Sequence, residues 1–418
     1  MAPSTQALVA HALRRTTFGP SAKALETFTS QGASGPNAAI EWALSAAPLA
    51  ISPAKVTKDD WDENLRGWTS NLLSSDAGIH EKMTWFWHGH LTTSSFKVGH
   101  IPMLHAQQDK FRKHALGNFR DLMQSITVDA AMLLYLDGAG SSVEAPNENY
   151  AREVMELFTL GRGNYTEADV KAGALGFAGY DVDWEPGTVS FNEEHALGGE
   201  IEFLGKRGRL RTVDLVNILC DHPACPPFVA GKVYAYLVGE SPTKERLAKL
   251  AANFRSSGLE IKTLVSDIVF GEEFLQLRMN RPRYAIEWWT AAVHAMGPAR
   301  EGEDGDVQPW VLEQLDQAPH RPPNVAGWPP GERWLSPSQQ LARASYVWSW
   351  AWRVNPLETS GHDLVGAALR QAGLFEVSSA TREALHAAAT ATAGAADAES
   401  VTRRLLTVAL TSPEFSLA

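Results

Sequence analysis

The sequence predicts an all-α protein: a single multi-helix domain over 1–418 with a small β-hairpin or sheet insertion near 180–204. Three observations lead there. Apolar residues recur at helical spacing through both halves of the chain. One stretch, YDVDWEPGTVSFNEEHALGGEIEFLGKRG, instead alternates in short runs split by Pro186-Gly187 and Gly198-Gly199, which is the pattern of hairpins. No long Gly/Ser-rich or Pro-rich linker divides the 418 residues into separate units.

In chain order the periodicity places helices near 5–16, 21–31, 36–46, 61–75, 79–91, 103–115, 118–125, 128–136, 147–161 and 166–178. Beyond the alternating stretch, helices resume near 211–220, 226–237, 242–256, 259–270, 283–296, 308–316, 336–352, 360–372, 379–393 and 398–411. The Ala-rich run AAATATAGAADAES reads as a surface helix and turn. Most of the 14 tryptophans fall at helical spacing and read as core, with a minority able to line a pocket for a flat or sugar-like ligand.

Composition narrows the partners. Lys and Arg number 37 against 48 Asp and Glu, a net charge of −11. That balance argues against nucleic acid and against a basic membrane-surface patch. No apolar run reaches the ~20 residues needed to span a membrane. Arg14-Arg15 is followed by Gly19, Pro20 and Ser21 rather than an apolar export segment, so a cytoplasmic protein is expected. The two cysteines, Cys220 and Cys225, exclude a disulfide scaffold and read as half-buried thiols at a helix–loop junction. A small-molecule substrate is the partner this leaves.

Candidate chemistry lies on two helices. Pro146-Asn147 is a good helix start. On a wheel of ~100° per residue, Glu148, Arg152 and Glu156 form an outward ion-pair ladder. Glu153 falls inside the apolar arc, between Leu157 and Leu160. A buried carboxylate needs a partner, a proton or a metal. Asn149 stands one turn before it as a possible donor to it or to substrate. On the second helix, IHEKMTWFWHGHL, His90 lies within the apolar arc and His88 on the other side, near Glu81 and Thr84. In an unbroken helix the two rings diverge by ~160°. A break at Gly89 would let H-G-H hold one ion. Each imidazole also has a plain structural reading as a satisfied core residue.

Arg112 is a candidate for an anionic substrate, or else for a helix-end ion pair. PPNVAGWPPG reads as a rigid loop laying Trp328 across a cleft. No HExxH, G-x-S-x-G, P-loop or paired Glu-x-x-His occurs.

Three stretches together carry a resemblance: KMTWFWHGH, HALGNFRDLM followed by AMLLYLDG, and PNENYAREVMELFTLGRGNYTEADV. With LRRTTFGPS and PPNVAGWPPGERWLSP they make the chain similar to the bacterial family catalogued as domain of unknown function 1800. The resemblance covers most of the chain and implies a family without assigning its chemistry. It also implies export for many relatives. Relatives often carry His-Asp after the mid-chain strands, where this chain has His195-Ala196, so no role passes to that Asp.

The leading expectation is a metal-dependent helical enzyme, a non-haem redox catalyst acting on a small molecule. His88, His90 and Glu153 would ligate a transition metal ion, iron by preference, since imidazole plus carboxylate suits such sites. His90 and Glu153 would be catalytic, and Arg112, Asn149 and Trp328 would contact substrate. One alternative is a metal-free or metal-assisted hydrolase or lyase using Glu153 and a His. Another is a non-enzymatic scaffold whose buried polar groups form a structural network. The first expectation requires His90 and Glu153 to meet across two packed helices.

Overall fold

The computed structural model describes residues 3–29, 35–49, 60–74, 77–185, 187–357, 363–390 and 397–418. Parts of the expected helices near 21–31, 61–75, 360–372 and 379–393, and the middle of the Ala-rich run, lie outside these residues. The protein is all-α, with two small two-stranded antiparallel sheets among the described residues. In the first, β1 (Tyr180–Asp183) pairs with β2 (Thr188–Phe191), Tyr180 facing Phe191. In the second, β3 (Ile201–Phe203) pairs with β4 (Lys206–Gly208). The insertion thus runs four residues past the expected 204, because Leu204 and Gly205, both at positive φ, turn the chain back on itself.

Helix Thr5–Thr16 packs on Gly35–Ser45, and Ile79–His90 packs on Ile101–His114. Cys225–Val238 packs on Lys244–Ser256 and Ile261–Val269, and Pro337–Trp350 packs on Ala398–Thr411. One apolar cluster runs from Val9 to Phe415 and includes the buried Trp68, Trp87, Trp288, Trp289, Trp334 and Trp350. Cys220 and Cys225 are fully buried rather than half-buried. Cys220 lies in the last turn of helix Thr212–Asp221 and Cys225 opens helix Cys225–Val238.

Two local features set the geometry of the interior. Helix Ile79–His90 runs unbroken through Gly89, so the H-G-H kink does not form. The helix that begins at Asn147 is capped as expected, the Asn147 Oδ1 accepting the Tyr150 N–H at 2.9 Å. It stays α-helical only from Glu148 to Glu153 and then opens into a π-helix, Val154–Thr159. There the Leu160 N–H reaches back five residues to the Met155 carbonyl at 2.7 Å. The wider turn rotates every following side chain away from its 3.6-residue position. The wheel that set Glu153 between Leu157 and Leu160 therefore fails at this point. The outward ladder does not form either: Arg152 reaches across to Glu167 at 2.7 Å, and Glu156 pairs with Arg162 at 2.5 Å and also binds Tyr165.

No helix among the described residues is long and apolar enough to cross a membrane.

Candidate functional site

Between helices Ile79–His90 and Cys225–Val238 lies a cleft of about 630 Å³. This is within the range of small-molecule sites. A second hollow, beside His294, holds about 10 Å³, scarcely room for one water. The cleft exists because of small residues on two helix faces. Phe228, Gly231, Lys232, Ala235 and Tyr236 share one stripe of the second helix at i, i+3, i+4, i+7 and i+8. Such a stripe ordinarily packs on a neighbour. Here Gly231 and Ala235 lie where longer side chains would have filled the gap. Among the described residues, a Cβ placed on Gly231 would meet only Leu247, at 3.7 Å, and one on Gly89 only Trp328, at 3.9 Å.

The floor is a pair of indoles. Trp85 and Trp328 stack with ring centres 5.3 Å apart and planes 22° from parallel. Trp328 is held by its own N–H, which donates to the Asp316 carbonyl at 3.1 Å. Its loop rests against the histidine helix at Gly327, whose φ is +76°. A Cβ at that position would lie 2.1 Å from the Gly89 carbonyl oxygen. Only glycine allows this approach. Gly327→Ala is therefore expected to lift the loop, lower stability by about 1–3 kcal/mol and abolish small-molecule binding in the cleft. A denaturant curve and a titration with 2-naphthol measure both effects.

His90 is half-buried on the wall, its ring nearly parallel to Phe86 and flanked by Phe158 and Phe228. Its Nε2 lies 3.0 Å from the Phe158 carbonyl oxygen. A carbonyl can only accept, so Nε2 carries the proton and Nδ1 keeps its lone pair. That carbonyl belongs to the π-helix, so the widened turn sets the tautomer of the imidazole. Burial lowers the His90 pKa to about 4, the Phe158 carbonyl opposing and the Lys232 ammonium adding to the fall. At neutral pH the ring is an uncharged acceptor.

The remaining polar groups are few. Gln317 is buried and its Oε1 accepts the Ile286 N–H at 2.9 Å, which directs its amide N–H₂ elsewhere. The Tyr236 hydroxyl is buried without a hydrogen-bond partner among the described residues. The Lys232 Nζ stands 5.6 Å from the centre of the Phe228 ring and makes no ion pair among the described residues.

The sequence-predicted residues divide sharply. His90 and Trp328 line the cleft. His88 lies behind its floor, fully buried, with ring centres 5.4 Å from both Trp85 and Trp328. Its Nε2 accepts the His320 backbone N–H at 3.1 Å. Glu153 is half-buried with no hydrogen bond among the described residues, and burial and the neighbouring Glu156 raise its pKa. Asn149 is exposed. Arg112 is buried in a two-pronged ion pair with Glu81, at 2.6 and 3.1 Å, and presents no free face to a substrate. His88, His90 and Glu153 do not converge: no group of three histidine, cysteine or acidic side chains among the described residues could hold a metal ion as it stands. The expected donor set thus does not fit a single ion, and no step is derived through one.

Sequence reasoning missed Phe228, Lys232 and Tyr236. The signal was present: Lys232 interrupts an otherwise apolar or small stripe, the same anomaly that drew attention to Glu153. It also missed His320, which lies in the Trp328 loop at φ +55°. His320 sits against His88 and His105, with ring centres 4.9 and 6.3 Å apart. Four nitrogens of these three rings are buried without partners among the described residues: His88 Nδ1, His105 Nε2 and both of His320.

No curated protein and no solved structure matches the chain. One family does, over residues 11–417, described as "Protein of unknown function (DUF1800)". That span takes in both the histidine helix and the Trp328 loop, and on it the chain belongs to the DUF1800 family.

Proposed function

We propose that this protein is a helical enzyme that binds a small organic molecule in the aromatic cleft and uses His90 Nδ1 as the acceptor of a proton from it. The observation carrying this reading is the cleft of about 630 Å³, in which His90 meets a stacked tryptophan floor. The reaction class is acid–base chemistry of the hydrolase or lyase kind. The base is His90 rather than Glu153, because the Phe158 carbonyl holds one tautomer in place.

The test uses neutral probes. 2-Naphthol should bind one site, and Gly231→Leu should abolish binding while leaving the fold intact, since leucine is the better helix former. His90→Phe should weaken 2-naphthol about tenfold through loss of one hydrogen bond of ~1.4 kcal/mol, and leave naphthalene unchanged. Binding indifferent to Gly231→Leu would place the ligand elsewhere and overturn the reading. Equal losses for both probes in His90→Phe would remove the acceptor role.

A second reading keeps the transition metal with a different ligand set. The four unpartnered nitrogens of His88, His105 and His320 favour it, since imidazole is a common ligand for zinc, copper and iron. The rings would have to turn to converge. Elemental analysis decides: a stoichiometric metal lost in His320→Ala supports it, and metal content equal in both proteins refutes it.

A further inference from the structure

Resting on the cleft reading above, we infer that the natural ligand of this cleft is a planar, largely apolar molecule carrying one negative charge. The cleft lies in a protein with 48 acidic residues and a net charge of −11, yet among the described residues its lining contains no Asp and no Glu. Lys232 is the one charged residue in that lining among the described residues. Lys232 is an exposed residue at the cleft, and its ammonium has no carboxylate partner among the described residues. An unpaired cation over an aromatic wall, beside a described lining without carboxylates, attracts an anion and repels a cation. The field acts over a distance comparable to the Debye length and is screened by salt.

The walls argue for a flat body. Trp85 and Trp328 offer a stacked pair of indole faces, and Phe86, Phe228, Tyr236 and Tyr284 close the sides. Aromatic surfaces arranged this way favour offset stacking with another ring. The polar groups then have distinct tasks. Lys232 takes the anionic group, and His90 Nδ1 accepts from a hydroxyl or N–H of the ligand. An anion placed beside Lys232 also offsets the repulsion that this ammonium exerts on His90. The imidazole therefore becomes a stronger base once the ligand is bound.

Calorimetric titration of the full chain with four probes tests this: 2-naphthoate, 2-naphthalenemethanol, 2-naphthylmethylammonium and decanoate. Naphthoate should bind about tenfold more tightly than the alcohol, and the ammonium compound more weakly than either. Decanoate, which has the charge without the plane, should bind several-fold more weakly than naphthoate. Lys232→Met should reduce naphthoate to the affinity of the alcohol and leave the alcohol unchanged. Raising the salt should weaken naphthoate and decanoate and leave the alcohol unchanged. Equal binding of acid and alcohol, both lost in Gly231→Leu, overturns the charge selection and leaves the cleft reading standing. Decanoate equal to naphthoate overturns the planar body. Failure of every probe to bind, or binding unaffected by Gly231→Leu, overturns the cleft reading itself.

Discussion

Replacing Glu287 with glutamine is expected to destabilise the protein by about 3–5 kcal/mol, the range for breaking a buried ion pair from one side. Glu287 is 3% exposed and is the acidic centre of a buried cationic cluster. Lys82 Nζ donates to its Oε1 at 2.5 Å. Arg281 donates to both oxygens, at 2.7 and 2.8 Å. Lys82 also donates to the Thr17 carbonyl at 2.9 Å, which ties the N-terminal helix to the middle of the chain. Even with its partner present, burial pulls the Lys82 pKa down to about 8. With the carboxylate gone, two buried cations face each other with Arg15 and Arg283 nearby. Unfolding in urea gives the measurement. Glu167→Gln is the control: it breaks the exposed Arg152 pair and should change stability by less than about 1 kcal/mol. If the two variants are equally stable, the network is not a stability centre.

The second large effect is acid lability. Burial lowers the pKa of His88 to about 3, from 6.5 in the unfolded chain. Between those values the unfolded chain binds the extra proton and the folded one does not. Stability therefore falls as pH drops below 6.5, at roughly 1.4 kcal/mol per pH unit for this one residue, or about 3 kcal/mol by pH 4.5. His11, also lowered to about 3, acts in the same direction. His88→Phe should flatten the acid limb by that slope. It should also cost about 1–3 kcal/mol at pH 7, because the His320 N–H loses its acceptor. Urea midpoints at pH 7.0, 5.5 and 4.5 separate the two contributions. An unchanged acid limb in His88→Phe would show that this ring is not the group that titrates.

Those two residues show how unevenly the interior was legible. Glu287 occupies an ordinary helical position in AIEWW, and nothing local distinguishes it from a solvated acid. Its importance comes from Lys82 and Arg281, one of them 205 residues away in sequence. His88 was legible as a candidate because it opens the H-G-H run with His90. Its acceptor role was not, since the donor belongs to a loop 232 residues later.

Helix positions, by contrast, were largely written in local pattern. Ser4, Asp60, Asn118, Asn147, Thr166 and Ser336 each accept a backbone N–H at the start of a helix. Such caps act within one turn and so are visible in sequence. The brief helices Ser95–Val98, Glu272–Gln276 and Pro413–Ser416 went unseen, since four or five residues carry too little periodicity to read.

The sequence by itself determined the helical class, the β insertion, the family and two of the cleft residues, His90 and Trp328. All follow from short-range patterns or from motifs whose residue types are unusual. The tertiary structure alone decided which candidates meet. The π turn after Glu153 moved the side chains beyond it off the expected wheel, and unbroken helix through Gly89 kept His88 and His90 apart. Arg112 went to Glu81, and Lys232 came to line the same cleft as His90, beside the small residues Gly231 and Ala235. A wheel gives the direction of a side chain on its own helix. What lies at the end of that direction depends on how two helices cross, and that is fixed by packing summed over the whole core.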